Sequence, residues 1–261
     1  MPPALRPAVW GASLLLLAGC LTACSLLAVS GDRTPAGAPA TVRPPKQVLL
    51  SAAQNLDDSG GTRVQVTEEG PAGRRTASGA VSWGARDAVE LAVADELGTA
   101  RLEARDGALD LAYDGAPAKR AERADAESLD PRAPGAAYAG GWLSGLIANP
   151  GGPAHSMALA GKLTSLGGEQ LAGTTVAHYQ GSAAVADFFA ADQGLSADRL
   201  AVLLAYYRQR GVTAIGYDFW VAPGDRLLRL RATVQGSTAK VVTTTDLSDL
   251  GPVAETPAAT G

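Results

Sequence analysis

The chain has almost no cysteine and almost no histidine. Of its 261 residues only Cys20 and Cys24 carry a thiol, and both lie in an apolar leader. The remainder therefore has no sulfhydryl for a disulfide, a metal cluster or a nucleophile. Its two histidines, His155 and His178, are too few for the common zinc sites, which draw several His or Cys ligands at short spacing. Aromatic residues make up only 5% of the chain, and no segment is rich in Lys or Arg. The formal charge is −4, and −5 once the single charge of Arg6 leaves with the leader, so nucleic acid is not the expected partner. No Gly-rich loop follows a strand and opens a helix, as a phosphate cradle requires.

The N-terminus is distinctive. Arg6 is the one charged side chain before Asp32, and Trp10 to Leu17 is an apolar run followed by small residues, the pattern of a secretory signal. Leu17-Ala18-Gly19-Cys20 and Leu21-Thr22-Ala23-Cys24 both resemble the bacterial lipobox. In that motif the cysteine sulfur receives a diacylglyceryl group and the leader is cut just before it. The expected lipidated residue is Cys24, which is followed by the small polar Ser25; Cys20 is the alternative. An uncleaved membrane anchor is the competing reading, because the uncharged run from Pro7 to Gly31 is long enough to span. Residues 1–23 are thus read as a signal peptide, 24–44 as a flexible Pro-, Gly- and Ala-rich tether, 45–250 as one folded domain, and 251–261 as a loose tail. The expected location is the extracytoplasmic face of the cell membrane, held there by lipid.

Within the domain, Val48, Leu49, Ala52, Ala53 and Leu56 recur at helical spacing after Pro45. Five short alternating runs follow, Thr62–Glu68, Thr76–Trp83, Ala88–Asp95, Thr99–Arg105 and Ala108–Tyr113. Their alternation places Val89, Leu91 and Val93, and again Leu109, Leu111 and Tyr113, on one face of an antiparallel sheet. Asp106-Gly107 is a hairpin signal. Residues 116–134 are charged and broken by prolines and read as a long surface connection, and Trp142, Leu143, Leu146 and Ile147 have one-face helical spacing. Strands are expected at Lys162–Ser165 and Thr174–Gln180, then helices at Ala184–Ala191 and Ala197–Arg210, with Ser196 as N-cap of the second. Strands at Thr213–Ala222, Arg226–Gln235 and Thr238–Asp246 close the chain. The expected class is α+β: a strongly curved antiparallel sheet, a half-barrel, covered on its concave side by a few helices.

Catalytic chemistry is hard to place. His155 and Ser156 sit together in a Gly-Gly-Pro-Ala-His-Ser loop, but adjacency in sequence is not triad geometry. His178 reads as a sheet residue with a satisfied ring. Asp218, beside Trp220 in an apolar strand, needs a partner, and Arg229 on the next strand is the expected one. No enzyme activity, metal or cofactor is expected.

The lipobox leader, the helix at Lys46, Gly79 to Trp83, Thr174 to Gly181 with its His178-Tyr179, and Tyr217-Asp218-Phe219-Trp220-Val221 leading into Leu228-Arg229 together resemble the actinobacterial LppX/LprG lipoproteins. Their fold is akin to the LolA and LolB carriers and the sensor domain of RseB. The resemblance covers nearly all of Pro45 to Leu250. It implies an apolar cavity for acyl chains and a role in binding or moving acylated lipids or lipoglycans at the cell envelope. It also implies acylation, palmitate included, of the lipobox cysteine. On this chain the lining would come from Leu91, Val93, Leu102, Leu109, Leu111 and Tyr113 of the sheet. Trp142, Leu146, Phe188, Leu203, Leu204 and Tyr207 would supply the helical side. The rival expectation is a protein-binding or sensory module of the same fold with a filled core, whose partner is another envelope protein. Every one of these side chains also suits plain core packing.

Overall fold

The computed structural model describes residues 43–71, 73–83, 88–95, 98–105, 108–115, 119–122, 149–192 and 194–251. Eleven strands among them make one sheet, antiparallel throughout: β1 (Gly61–Gly70), β2 (Gly73–Ser82), β3 (Ala88–Asp95), β4 (Gly98–Arg105), β5 (Ala108–Tyr113), β6 (Lys119–Glu122), β7 (Lys162–Leu171), β8 (Thr174–Ala184), β9 (Ala214–Ala222), β10 (Arg226–Gln235) and β11 (Lys240–Ser248). Their order is β6-β5-β4-β3-β2-β1-β11-β10-β9-β8-β7. Two meanders therefore run outward from a single seam, where β1 pairs with β11 and Arg63 stands opposite Ser248. The outermost strands, β6 and β7, are not neighbours, so the curved sheet is a half-barrel and not a closed one.

The alternation expected from sequence is what faces the core. One register row runs Leu247, Val64, Gly79, Leu91, Leu102, Leu111 across six adjacent strands, and all five of its side chains are buried. The next row passes from Tyr179 through Phe219, Leu230, Thr245, Val66, Ala77, Val93 and Ala100 to Tyr113. On the other face Glu90 stands opposite Glu103, and Arg101 bridges both carboxylates.

Four helices are described: α1 (Pro45–Asp58), α2 (Gly152–Ala160), α3 (Val185–Ala190) and α4 (Ala197–Gln209). The apolar stripe of α1 is the expected one, with Val48, Leu49, Ala52, Ala53 and Leu56 all buried against the sheet's inner face. Its ends are tied down. Arg43 pairs with Asp225 at 2.6 Å, and the Asn55 amide donates to the carbonyls of Gly224 and Asp225 in the β9–β10 turn. Burial works to raise the Asp225 carboxyl, but hydrogen bonds from Arg43 and Ser51 and the Arg43 charge outweigh it and hold the group below its ordinary value. At the other end Trp83 Nε1 donates to the Asp57 carbonyl at 3.0 Å.

Two segments differ from expectation. The connection read at 116–134 contains strand β6, whose Leu111↔Lys119 and Ala108↔Glu122 pairings extend the sheet by one strand. Lys119–Glu122 has no apolar alternation to announce it, because an edge strand needs none. The Gly-Gly-Pro-Ala-His-Ser stretch is the first part of α2 and not a loop. Gly152, Ala154, Ser156, Met157 and Ala158 are all buried, so no one-sided stripe marks this helix. Its N-terminus is capped from outside, by Asp57 Oδ1 accepting from the Gly151 amide at 2.7 Å. Burial raises the Asp57 carboxyl above its usual range, with the Gly151 hydrogen bond opposing and Asp58 adding to the rise. The one-face helical pattern at Trp142–Ile147 and the Asp106-Gly107 turn lie outside the described residues, although Arg105 and Ala108 on either side of that turn do pair.

Gly79 is the irreplaceable member of its row. Its φ is +154°, and a Cβ there would stand 2.0 Å from the Glu90 carbonyl oxygen. Replacing Gly79 with Ala is expected to cost about 2 kcal/mol or more, read as a lower urea midpoint. Gly168→Ala, whose new Cβ would meet nothing nearer than the Val176 carbonyl at 3.7 Å, should stay within about 0.5 kcal/mol of the parent.

Candidate functional site

The lining residues named from sequence fall into three groups. Leu91, Val93, Leu102, Leu111 and Phe188 are buried in one continuous apolar cluster with α1, α2 and α3, and Leu203 of α4 is buried as well. Tyr113, Leu204 and Tyr207 pack against that cluster but keep part of their surface accessible. Leu109 is placed in β5 by its backbone alone, and Trp142 and Leu146 lie outside the described residues.

Accessible surface separates these residues physically. Leu91 and Leu102 have none (0%), so they border no space large enough for a water molecule. The β8–β10 half buries Phe219 just as completely (0%) but is built of rings. There an aromatic run crosses from sheet to helices: Phe219 stacks on Tyr217 at 5.4 Å between centroids, Tyr217 on Phe188 at 5.5 Å, Phe188 meets Phe189 edge-on at 5.3 Å, and Phe189 meets Tyr207 at 5.3 Å. Tyr206 continues it, edge-on to Tyr207, with the Arg210 guanidinium 3.5 Å over its ring. In a chain so poor in aromatics, most of the described ones meet here.

Tyr217 and Phe189 were missed in the sequence reading. Ile215, Tyr217, Phe219 and Val221 alternate along β9, which is the signal that would have found Tyr217 as an inward residue. Phe189 is adjacent to Phe188 on a helix of six residues, too short for periodicity to assign a face.

Two hydroxyls on this run are unusual. Burial pushes the Tyr207 phenol up to about 12, with Tyr206 adding to the rise and Arg210 and Arg199 opposing it. Burial likewise raises the Tyr217 phenol far above the ordinary tyrosine value, and Tyr207 adds to the effect. Yet both side chains retain accessible surface. By contrast the Tyr113 hydroxyl donates to Asp95 Oδ2 at 2.8 Å.

The element above the run is lightly held. Helix α4 is capped by Ser196, whose hydroxyl accepts from the Arg199 amide at 3.2 Å as expected, but among its thirteen residues only Leu203 is buried. Val202 is 50% exposed. Among the described residues its principal neighbour is α3.

The opposite face of the same strands carries a polar seam. His178 stacks on Trp220 at 4.3 Å with 17° between planes, and its Nε2 lies 3.1 Å from Asp218 Oδ1. Gln180 donates to the same oxygen, and Arg231 Nη2 donates to Asp218 Oδ2 at 3.1 Å. The expected Asp218–Arg229 pair is therefore corrected to Asp218–Arg231. A bulge between Leu227 and Arg229 shifts the register by one, setting Arg229 opposite Trp220 and Arg231 opposite Asp218. Arg229 pairs with Asp246 instead. The seam seals Trp220, which also donates to Glu169, against a small outer cluster with Val176 and Ala222. On α2, Ser156 is buried without a hydrogen bond to His155 or to any other group.

The two raised phenols make an alkaline prediction. The folded protein keeps protons that the unfolded chain gives up near pH 10, so these groups stabilise it less and less as pH rises from about 10 through about 12. Urea midpoints should fall across that window, and Tyr207→Phe should flatten the fall. An equally steep decline in the variant would show that Tyr207 is not its source.

No protein-family model and no curated protein matches the chain. Among solved structures it is similar to LprF from Mycobacterium bovis, at 12% identity and a TM-score of 0.48 over 82% of this chain and 95% of that one. The lipoprotein LppX from Mycobacterium tuberculosis gives 13% and 0.44, over 78% and 96%. A LolA superfamily protein from Nitrosomonas europaea gives 11% and 0.30, over 80% and 93%. At these identities and scores the likeness concerns the path of the chain and says nothing of a ligand. In that path the chain is similar to the mycobacterial lipoproteins LprF and LppX, of the group that its sequence resembles.

Proposed function

We propose that this chain is a lipoprotein tethered to the outer face of the cell membrane through Cys24, and that it binds or carries acylated lipids in its apolar interior without covalent chemistry. The observation that carries the reading is the aromatic run from Phe219 through Tyr217, Phe188 and Phe189 to Tyr207 of α4, a helix of which only Leu203 is buried. An interior wall of rings and aliphatic side chains needs no other device to hold hydrocarbon. Each buried methylene contributes about 0.8 kcal/mol before ordering costs, so ten would amount to roughly 8.

The proposal puts the acyl chain against the β8–β10 half of the sheet, with Phe188, Leu203, Leu204 and Tyr207 on the helical side. Leu91, Val93, Leu102 and Leu111 serve first as core and would meet hydrocarbon only if the interior opened further. Such opening would be centred on α4, the helix with least to lose. The tether of residues 24–44 would leave the domain beside Arg43 and the β9–β10 turn, which fastens α1 firmly while α4 moves. The sealed Leu91 and Leu102 are what a filled core would show, and they favour the rival reading of a regulatory or scaffold module for that half of the sheet.

Three measurements test this. Extraction of the protein from a native-like host should release acyl lipids detectable by mass spectrometry, and the purified protein should take up a fluorescent fatty-acyl probe; neither occurring would overturn the carrier. Amide exchange should be faster in α4 than in α1, and probe binding should slow it. Labelled palmitate should no longer enter the Cys24→Ala protein, and retained label would move the anchor to Cys20.

A further inference from the structure

The strands of the half-barrel end at two rims, and the rims differ in charge. One register row near the first rim runs Arg74, Glu69, Val242, Thr233, Gly216, Ser182, Lys162 across seven adjacent strands, with a cation at each end. Lys240 lies two residues farther out, where β11 begins. Helix α4 ends at the same rim before the chain enters β9, and the Ser237 amide of the β10–β11 turn donates to the Arg210 carbonyl at 3.0 Å. Arg74, Lys162, Arg208, Arg210 and Lys240 therefore share this rim, and all five are exposed.

None of the five joins an ion pair with a described residue. The exposed acids on the same arc are Glu69, opposite Arg74, and Asp187 of α3; Asp95 and Asp114 belong to the far side, where Tyr113 and Thr99 engage them. At the opposite rim Arg43 and Arg63 each have a carboxylate partner, Asp225 and Asp249, and Asp57 and Asp58 more than offset Arg226. A chain of formal charge −4 thus gathers unpaired cations at one end. The macrodipole of α4 accounts for Arg208 and Arg210, but not for Arg74, Lys162 and Lys240, which come from three strands.

We propose that this basic rim rests on the anionic phosphate headgroups of the bilayer that holds the anchor. This rests on the lipoprotein reading and adds the face by which the domain meets its membrane. The charges are complementary, and each cation near an anionic surface strengthens the contact about fivefold. Tyr206, half-buried under the Arg210 guanidinium, has the apolar body and polar tip that suit a headgroup layer. Arg43, where the tether would leave, is at the opposite rim, so the tether alone would not choose this orientation. It would permit it: roughly twenty residues of chain reach about 65 Å, against about 33 Å for a ten-residue strand. Docked in this way, the end of α4 would lie against the lipids that the carrier reading has the interior admit.

The test uses the full-length acylated protein in phosphatidylcholine vesicles with and without about 30% phosphatidylglycerol. The folded domain has no thiol, so Thr238→Cys and Ser248→Cys each place one fluorophore, at opposite ends of β11, with the parent as blank. A nitroxide on the lipid headgroup should quench the label at position 238 severalfold more than the one at 248, in the anionic vesicles only. Arg208→Glu with Lys240→Glu should abolish the difference. Should that variant fold poorly, salt near 1 M on the parent should do the same, screening being complete within about 3 Å. Equal quenching of the two positions in anionic vesicles would overturn the proposal and leave the rim to an acidic protein partner. A difference that survives both charge reversal and salt would overturn it too, because charge would not be its cause. Flotation with the vesicles reads the anchor and uptake of a fatty-acyl probe reads the carrier, so either can stand when the rim fails.

Discussion

Everything in this molecule hangs on the pairing of its first strand with its last. Thr62 donates to the carbonyl of Ser248, 186 positions away, and the β1–β11 ladder joins the two meanders into one sheet. Each meander folds from neighbours in sequence, but neither closes a core. Only when β1 and β11 meet do Val64 and Leu247 complete a continuous row with Leu91 and Leu102, and only then do the four helices have a concave face to cover. Such long-range pairing is slow to form, so the local hairpins are expected to precede it.

The seam also divides the interior. On the β1–β5 side the row is sealed by aliphatic side chains under α1, whose two ends are fastened by Arg43 to Asp225 and by Trp83 to the Asp57 carbonyl. On the β8–β10 side aromatic rings run from Phe219 toward α4, of which only Leu203 is buried.

Much of this was legible in the sequence because most strands alternate and each side of the sheet has a different solvent. Ala88–Asp95, Ala108–Tyr113 and Arg226–Gln235 have the bounds that alternation and turn residues indicate. The first helix shows its stripe residue by residue. What escaped notice lacked such contrast. Helix α2 is buried on nearly all sides and begins Gly-Pro, and β6 sits at an edge where nothing must alternate. The Asp218 partner was misjudged because a bulge is one residue of slippage that no composition announces. For the site, single aromatic residues could be named, but their convergence depends on β9 lying against α3 and α3 against α4, relations that only the folded chain creates.

The bulge at Ser165/Gly167 in β7 has a bearing on how such a molecule avoids its own kind. A half-barrel ends in a bare border, and β7 is exposed along almost its whole length. A flat ribbon there would recruit strands from other copies. Instead Gly167, at φ +101°, kinks the border, and Lys162 and Glu169 flank it with opposite charges. The molecule can thus leave its sheet unclosed without offering a template on which copies of itself would stack into fibres.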